Sequence, residues 1–253
     1  MSKFYITTPI YYPSAKPHMG HAYSSIAADV IARFKKMEGY DVSFLTGTDE
    51  HGLKIQKAAE KDNSSPQEFC NKISKTFVDL AKILDLSNTD FIRTTETRHK
   101  DTVKKLWNLL QKNDQLYLSK YAGWYSVSDE AYYSEDEVED QEGIKISKSS
   151  GSKVEWMEEE SFFFKLSEWE KPLLEYYDNN PNFIFPESRR NEVISFVKSG
   201  LKDLSVSRTT FNWGIDVPGN KKHIMYVWLD ALTNYLSATN FFDNHNGFWP
   251  ANV

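Results

Sequence analysis

The tetrapeptide His18-Met19-Gly20-His21 has the residue types of an anion site. It follows a short β-branched and aromatic run that begins at Phe4, and a loop punctuated by Pro9, Pro13 and Pro17. It opens a helix, because Ile26, Val30, Ile31, Phe34 and Met37 recur at helical spacing over residues 22–38. At a helix N-terminus the free backbone N–H groups and the positive end of the dipole favour a phosphate. Two imidazoles add donors, and Gly20 between them lets a flat base approach the backbone closely. By itself the same tetrapeptide also reads as an ordinary turn of two histidines and a glycine. A second polar cluster, Thr48-Asp49-Glu50-His51-Gly52, follows the apolar strand 41–47. Asp49 and His51 stand where a strand gives way to a helix at 53–61, although a carboxylate at that place also serves as a plain helix cap.

Both clusters need strands to carry them. Two strand–loop–helix units in succession predict a parallel α/β sheet, and ligands bind such sheets at the carboxyl ends of the strands. Ser65-Pro66-Gln67-Glu68 is a capping box with proline at the first helical position. The helix it starts turns Phe69, Ile73, Phe77, Leu80 and Leu84 inward and carries Cys70, which reads as core. A third strand at 90–94 and a helix at 100–112, with Val103, Leu106, Trp107 and Leu110 inward, complete βαβαβα. From Leu116 the character changes to a tyrosine-rich, alternating antiparallel ribbon. Exposed loops follow at 134–142 and 147–153, then helices at 160–177 and 186–198 and a strand at 204–208. Residues 223–230 are strand-like, and 231–236 continue as a helix. The chain is thereby expected to divide into a first α/β half (1–115), an insertion (116–219) and the start of a second α/β half (220–253), with at least one more strand and helix expected beyond Val253.

Composition narrows the classes. Of 253 residues, 40% are hydrophobic and 15% aromatic, enough for a packed core. The net charge of −6 argues against indiscriminate nucleic-acid binding and leaves room for a local basic patch. A single cysteine excludes a disulfide framework and a cysteine-based zinc site. No signal peptide or membrane span is read, which suits a cytoplasmic protein.

Four separated stretches then agree. Tyr11-Tyr12-Pro13 with His18-Met19-Gly20-His21 resembles the "HIGH" signature of class I aminoacyl-tRNA synthetases. The stretches 44–52, Ser205-Val206-Ser207-Arg208 and 226–235 resemble the methionyl-tRNA synthetase family in particular. The resemblance implies an α/β, Rossmann-like parallel sheet interrupted by an inserted connective-peptide α+β domain. It implies activation of L-methionine by ATP, with Mg2+ accompanying the nucleotide, and transfer of the methionyl group to tRNA(Met). On the matching positions it implies that Tyr12, His18, Gly20 and His21 bind ATP, with His18, His21 and Arg208 acting in catalysis. Asp49 would hold the methionine ammonium, and Ile10, Tyr12, Trp228, Ala231, Leu232 and Tyr235 would line its pocket. Apolar and aromatic walls suit a thioether, whose sulfur contacts rings well.

Two departures stand out. The family insertion often carries Cys-x-x-Cys zinc knuckles, whereas here the ribbon reads Tyr125-Ser126-Val127-Ser128-Asp129. A zinc-free insertion held by aromatic packing is expected. Lys145-Ile146-Ser147-Lys148-Ser149 spells the family's second lysine signature, but inside the insertion, ahead of its usual place. It reads as a lookalike, with the true loop and a helical anticodon-binding domain expected beyond Val253, so that the 253 residues bind methionine but form adenylate poorly. The rivals are another class I synthetase, for leucine, isoleucine, valine or cysteine, a general nucleotidyltransferase, and a noncatalytic tRNA-binding module.

Overall fold

The computed structural model describes residues 2–129, 131–141, 143–243 and 245–253; Met1, and the Glu142 that closes the acidic run, lie outside the described residues. The strands β1 (Lys3–Thr7), β2 (Asp41–Thr48) and β3 (Asp90–Arg93) form a parallel sheet in the order β1-β2-β3. Helices α1 (Met19–Met37), α2 (Leu53–Lys61), α3 (Pro66–Ile83) and α4 (Thr97–Lys112) connect and cover it. The Ser65 box closes as expected: the Ser65 hydroxyl accepts from Glu68 N–H and the Glu68 carboxylate accepts from Ser65 N–H. Phe69, Ile73 and Phe77 are buried, and so is Cys70, whose thiol burial and the nearby Glu50 push up to about 12.

Helix α1 differs from a simple amphipathic reading. Its sheet-facing side is Ser25, Ala28, Asp29 and Ala32, while Ile26, Val30, Phe34 and Met37 are exposed. Small residues let the helix lie close on Phe4, Ile6, Val42 and Phe44. Gly47 is a sharper case of close approach. A Cβ there would stand 2.0 Å from the backbone oxygen of Ile92 on β3. Gly47→Ala is therefore expected to cost about 2 kcal/mol or more of stability in chemical denaturation, by wedging β2 from β3.

A long ribbon follows α4. Strand β4 (Leu116–Ser126) pairs with β5 (Ala131–Tyr133) and, over ten positions, with β8 (Glu155–Phe164). A separate hairpin joins β6 (Val138–Gln141) and β7 (Ile144–Ser147). Ring pairs Trp124–Trp156, Tyr125–Tyr132 and Tyr117–Phe163 line the ribbon, with centroids 5.5, 4.7 and 5.6 Å apart. Helices α5 (Glu170–Asn179) and α6 (Glu187–Lys198) follow.

Four local expectations are corrected. Residues 160–164 are strand, not helix, because Glu159, Ser161 and Phe163 alternate inward against β4. Residues 134–142 are not plain loop, since 138–141 pair with 144–147, whereas beyond Ser147 the stretch to Lys153 is turn and loop as expected. Residues 204–208 split into β9 (Leu204–Ser205), which joins β8, and β10 (Ser207–Arg208). Strand β12 (Asn220–Met225) pairs antiparallel with β10 and β11 (Asp216–Val217), apart from the parallel sheet. The strand-like run 223–230 stops at Met225: Tyr226 is an extended cap, and α7 (Val227–Asp230) begins at once, followed by a 3-10 turn and α8 (Asn234–Ser237). A short apolar run cannot be assigned to strand or helix by periodicity alone. The last residues run beside β1, with Thr7 N–H donating to Val253 O at 2.9 Å and Asn252 N–H to Tyr5 O at 2.8 Å.

Candidate active site

His18 holds an extended backbone and caps α1 with its ring: Nδ1 accepts from Gly20 N–H at 3.1 Å. Its own N–H donates to His21 Nδ1, also at 3.1 Å. This is a capping box made of two histidines. Because both Nδ1 atoms accept, the neutral rings must carry their protons on Nε2, leaving two N–H donors for a ligand. Burial and the neighbouring His18 hold the His21 imidazole below its usual range. The rings lie 3.9 Å apart, and a Cβ on Gly20 would come within 3.0 Å of His18 Cε1. Glycine thus makes room for the His18 ring as well as for any base.

Tyr11 fastens this pair to the sheet. Its ring packs 4.8 Å from His21 and its hydroxyl donates to His21 O at 3.2 Å. Its backbone N–H donates to Gly47 O at 2.8 Å and its carbonyl accepts from Asp49 N–H at 2.9 Å. The loop before α1 is thereby stitched to the carboxyl end of β2. The next residue, Tyr12, donates to His51 O at 3.2 Å. Tyr12, Asp49, Arg208 and Trp228 line one cavity of about 480 Å3, with Tyr132 and Tyr226. Asp49 is 8% exposed there, while Trp228 forms an outer wall at 52%.

The other predicted pocket residues, Ile10, Ala231, Leu232 and Tyr235, do not line that cavity. Ile10 and Tyr235 pack on the Tyr5, Leu45 and Ile92 cluster, and Tyr5 Oη donates to Tyr235 O at 3.1 Å. Ala231 is buried and Leu232 is exposed; neither lines the cavity around Asp49. Arg208 does line it, but its guanidinium is engaged: it donates to Ser205 Oγ at 2.6 Å and Ser207 O at 2.8 Å, lies 3.5 Å from Glu159, and stacks 3.6 Å above the Tyr226 ring. The lysine lookalike lies on the β6–β7 hairpin, where Lys148 donates to Asp136 O at 2.5 Å and Lys145 sits 4.0 Å from Asp140. Among the described residues no group of three or more His, Cys, Asp or Glu side chains converges as a metal site.

Two buried charges escaped the sequence reading. Glu50, fully buried, accepts from Arg93 Nε at 2.6 Å and Nη2 at 3.0 Å, with Ser74 and Thr95 hydroxyls both at 2.5 Å. Asp230 accepts from His51 and His99. The partners stand far apart in the chain, so no local spacing announces them; only the polar company of Asp49 hints at Glu50.

The family model described as tRNA synthetases class I (M) matches residues 4–252. The methionine–tRNA ligase of Rickettsia conorii is 57% identical over 99% of this chain and 49% of its own length. That of Rhizobium meliloti is 55% identical over 100% of this chain and 50% of its own. The chain thus spans about half the length of the curated relatives it matches. Among solved structures, Mycobacterium tuberculosis methionyl-tRNA synthetase bound by methionyl-adenylate superposes with a TM-score of 0.95 at 47% identity, over 99% of this chain and 50% of that one. The apo form of the same enzyme gives 0.82 at 45%, over 99% and 49%. Matched by the family model over nearly its whole length, this chain belongs to the class I (M) tRNA synthetases.

Proposed function

We propose that this chain is the amino-acid- and ATP-binding part of a methionine–tRNA ligase. That ligase would activate L-methionine with ATP to methionyl-adenylate and pass the methionyl group to tRNA(Met) in the cytoplasm, the 253 residues alone forming adenylate poorly. The observation that carries this reading is the cavity shared by Tyr12, Asp49 and Trp228, joined through Tyr11 to the histidine-capped helix. The likeness to an adenylate-bound relative supports it. The functional division is 1–115 and 220–253 for the catalytic halves and 116–219 for the insertion.

In the first step a methionine carboxylate oxygen attacks the α-phosphorus of ATP, and the bond to the β-phosphate oxygen breaks as pyrophosphate leaves. No side-chain nucleophile is required, so positioning and charge stabilisation do the work. His18 and His21 donate their Nε2–H groups to phosphate oxygens, and Gly20 leaves the adenine room. The Asp49 carboxylate accepts from the methionine ammonium. Tyr12 and Trp228 wall the thioether slot, Ile10, Ala231, Leu232 and Tyr235 are assigned to it by the family resemblance alone, and Arg208 adds a fixed positive charge at its edge. Mg2+ would be held chiefly by the nucleotide's phosphates and by water. In the second step a terminal ribose hydroxyl of the tRNA attacks the activated carbonyl and AMP leaves.

A groove of about 870 Å3 beside the cavity suits the polyanionic partner. Lys54, Lys57 and Lys61 of α2 face Tyr125 and Lys153 of the insertion across it, and Lys54 Nζ lies 5.5 Å over the Tyr12 ring. Reversing Lys57 and Lys61 to glutamate should weaken tRNA binding about tenfold and flatten its salt dependence in filter-binding titrations. Methionine affinity should be unchanged.

The test of the reading itself is amino-acid-dependent thermal stability. A ligand held at about 100 times its Kd stabilises by about 2.7 kcal/mol. Methionine should raise Tm, whereas leucine, isoleucine, valine and cysteine should not. A shift with isoleucine and none with methionine would assign the site to another synthetase.

A further inference from the structure

The reaction above makes no use of the buried cluster His51–Asp230–His99. Its members come from three places: the loop after β2, the last residue of α7, and α4. Asp230 Oδ2 lies 2.6 Å from His51 Nδ1, and Oδ1 lies 2.8 Å from His99 Nε2. All three side chains are buried. Burial pushes the Asp230 carboxyl up, but the two imidazoles outweigh it and hold the group well below the usual carboxylate range. An ionised carboxylate only accepts hydrogen bonds, so His51 donates from Nδ1 and His99 from Nε2.

The consequence is mechanical. His99 Nδ1 stands 3.1 Å from the Ser237 hydroxyl of α8, so one imidazole of α4 holds both ends of the helical stretch 230–237. That stretch carries Tyr235 and adjoins Trp228. Through His51 the same carboxylate is tied to the loop that carries Asp49. His51 Nε2 is buried with no hydrogen-bond partner among the described residues. His51 and Asp49 both border a cavity of about 10 Å3, room for one water.

We propose that Asp230 is a positioning residue for amino-acid recognition: by taking two imidazole donors at once, it sets the Trp228–Tyr235 stretch at the separation from Asp49 that methionine spans. This rests on the methionine-binding reading, in which Asp49 and Trp228 grip opposite ends of one small ligand. A misplacement of about 1 Å between such groups is costly. His99 does not line the cavity around Asp49, so any effect it has on methionine must pass through Asp230 or Ser237.

The test compares methionine affinity by calorimetry in the wild-type chain, His99→Gln and His99→Phe. Glutamine sets an amide N–H where Nε2–H stood; phenylalanine keeps the ring and loses both nitrogens. Positioning predicts that His99→Gln stays within about threefold of wild type while His99→Phe falls by about tenfold or more. If the imidazole merely fills space the order reverses, with His99→Phe nearer wild type, and the proposal is overturned. Equal affinities in all three also overturn it. Should His99→Phe fail to fold, His51→Asn against His51→Leu decides by the same order, because asparagine retains an N–H at the place of Nδ1. Failure of the wild-type chain to bind methionine would sink the functional reading rather than this relation.

Discussion

Glu50→Ala is expected to lower folding stability by about 3–5 kcal/mol, the range for breaking one side of a buried ion pair. The Arg93 side chain is 26% exposed and can be partly rehydrated, which favours the lower end. The carboxylate does more than pair with Arg93. It also accepts from Thr48 Oγ1 at 2.8 Å, and the Glu50 backbone N–H donates to Thr94 Oγ1 at 2.9 Å, so one residue ties β2 to α3 and to the end of β3. Burial raises its pKa, but Arg93, Ser74 and Thr95 outweigh that and leave the folded-state value below the ordinary 4.5. The stabilisation is fully present above 4.5 and is lost as pH falls towards the folded-state value. Glu50→Gln should therefore be less stable than wild type at neutral pH in urea titrations, with the difference narrowing as the medium is acidified below about pH 4.5. A difference that widens in acid would show that the folded-state pKa is raised. Because Glu50 lies between Asp49 and His51, the same variants should also bind methionine less well.

The second large effect is on binding. Asp49→Ala should cost about 2–3 kcal/mol of methionine affinity, the value of a charge-assisted contact in a sheltered site. That corresponds to about 30- to 150-fold in Kd by calorimetry. The variant keeps the backbone bond from Asp49 N–H to Tyr11 O. Undiminished methionine binding by this variant would remove Asp49 from the site.

The parallel sheet was legible because its strands are short apolar runs between helices of strong periodicity, and the Ser65 box marks its helix start by residue type alone. Residues 160–164 were misread because five positions of an apolar and acidic mixture fit a helix as well as a strand; β4, forty positions earlier, decides. In 227–230 the competing pull is tertiary as well: Asp230 must reach His51 and His99, which lie 179 and 131 positions away. The same distance in sequence hid Glu50–Arg93 and the two-histidine clamp. Asp49 and the histidine pair stand out as candidates in the sequence because each stands at a strand end or helix start, where local order and chemistry coincide. Arg208 is given a catalytic role by the resemblance, while its place on the cavity and its tie to Glu159 are visible only in three dimensions.

The most direct measurement is a crystal structure of this protein with methionyl-adenylate. It should show a phosphate oxygen within hydrogen-bond reach of Nε2 of His18 or His21, the ammonium on Asp49, and the thioether against Trp228 and Tyr235. An adenylate lodged in the lysine groove, or bound with both imidazoles out of reach of its phosphate, would contradict the idea that helix cap and aromatic wall serve one ligand.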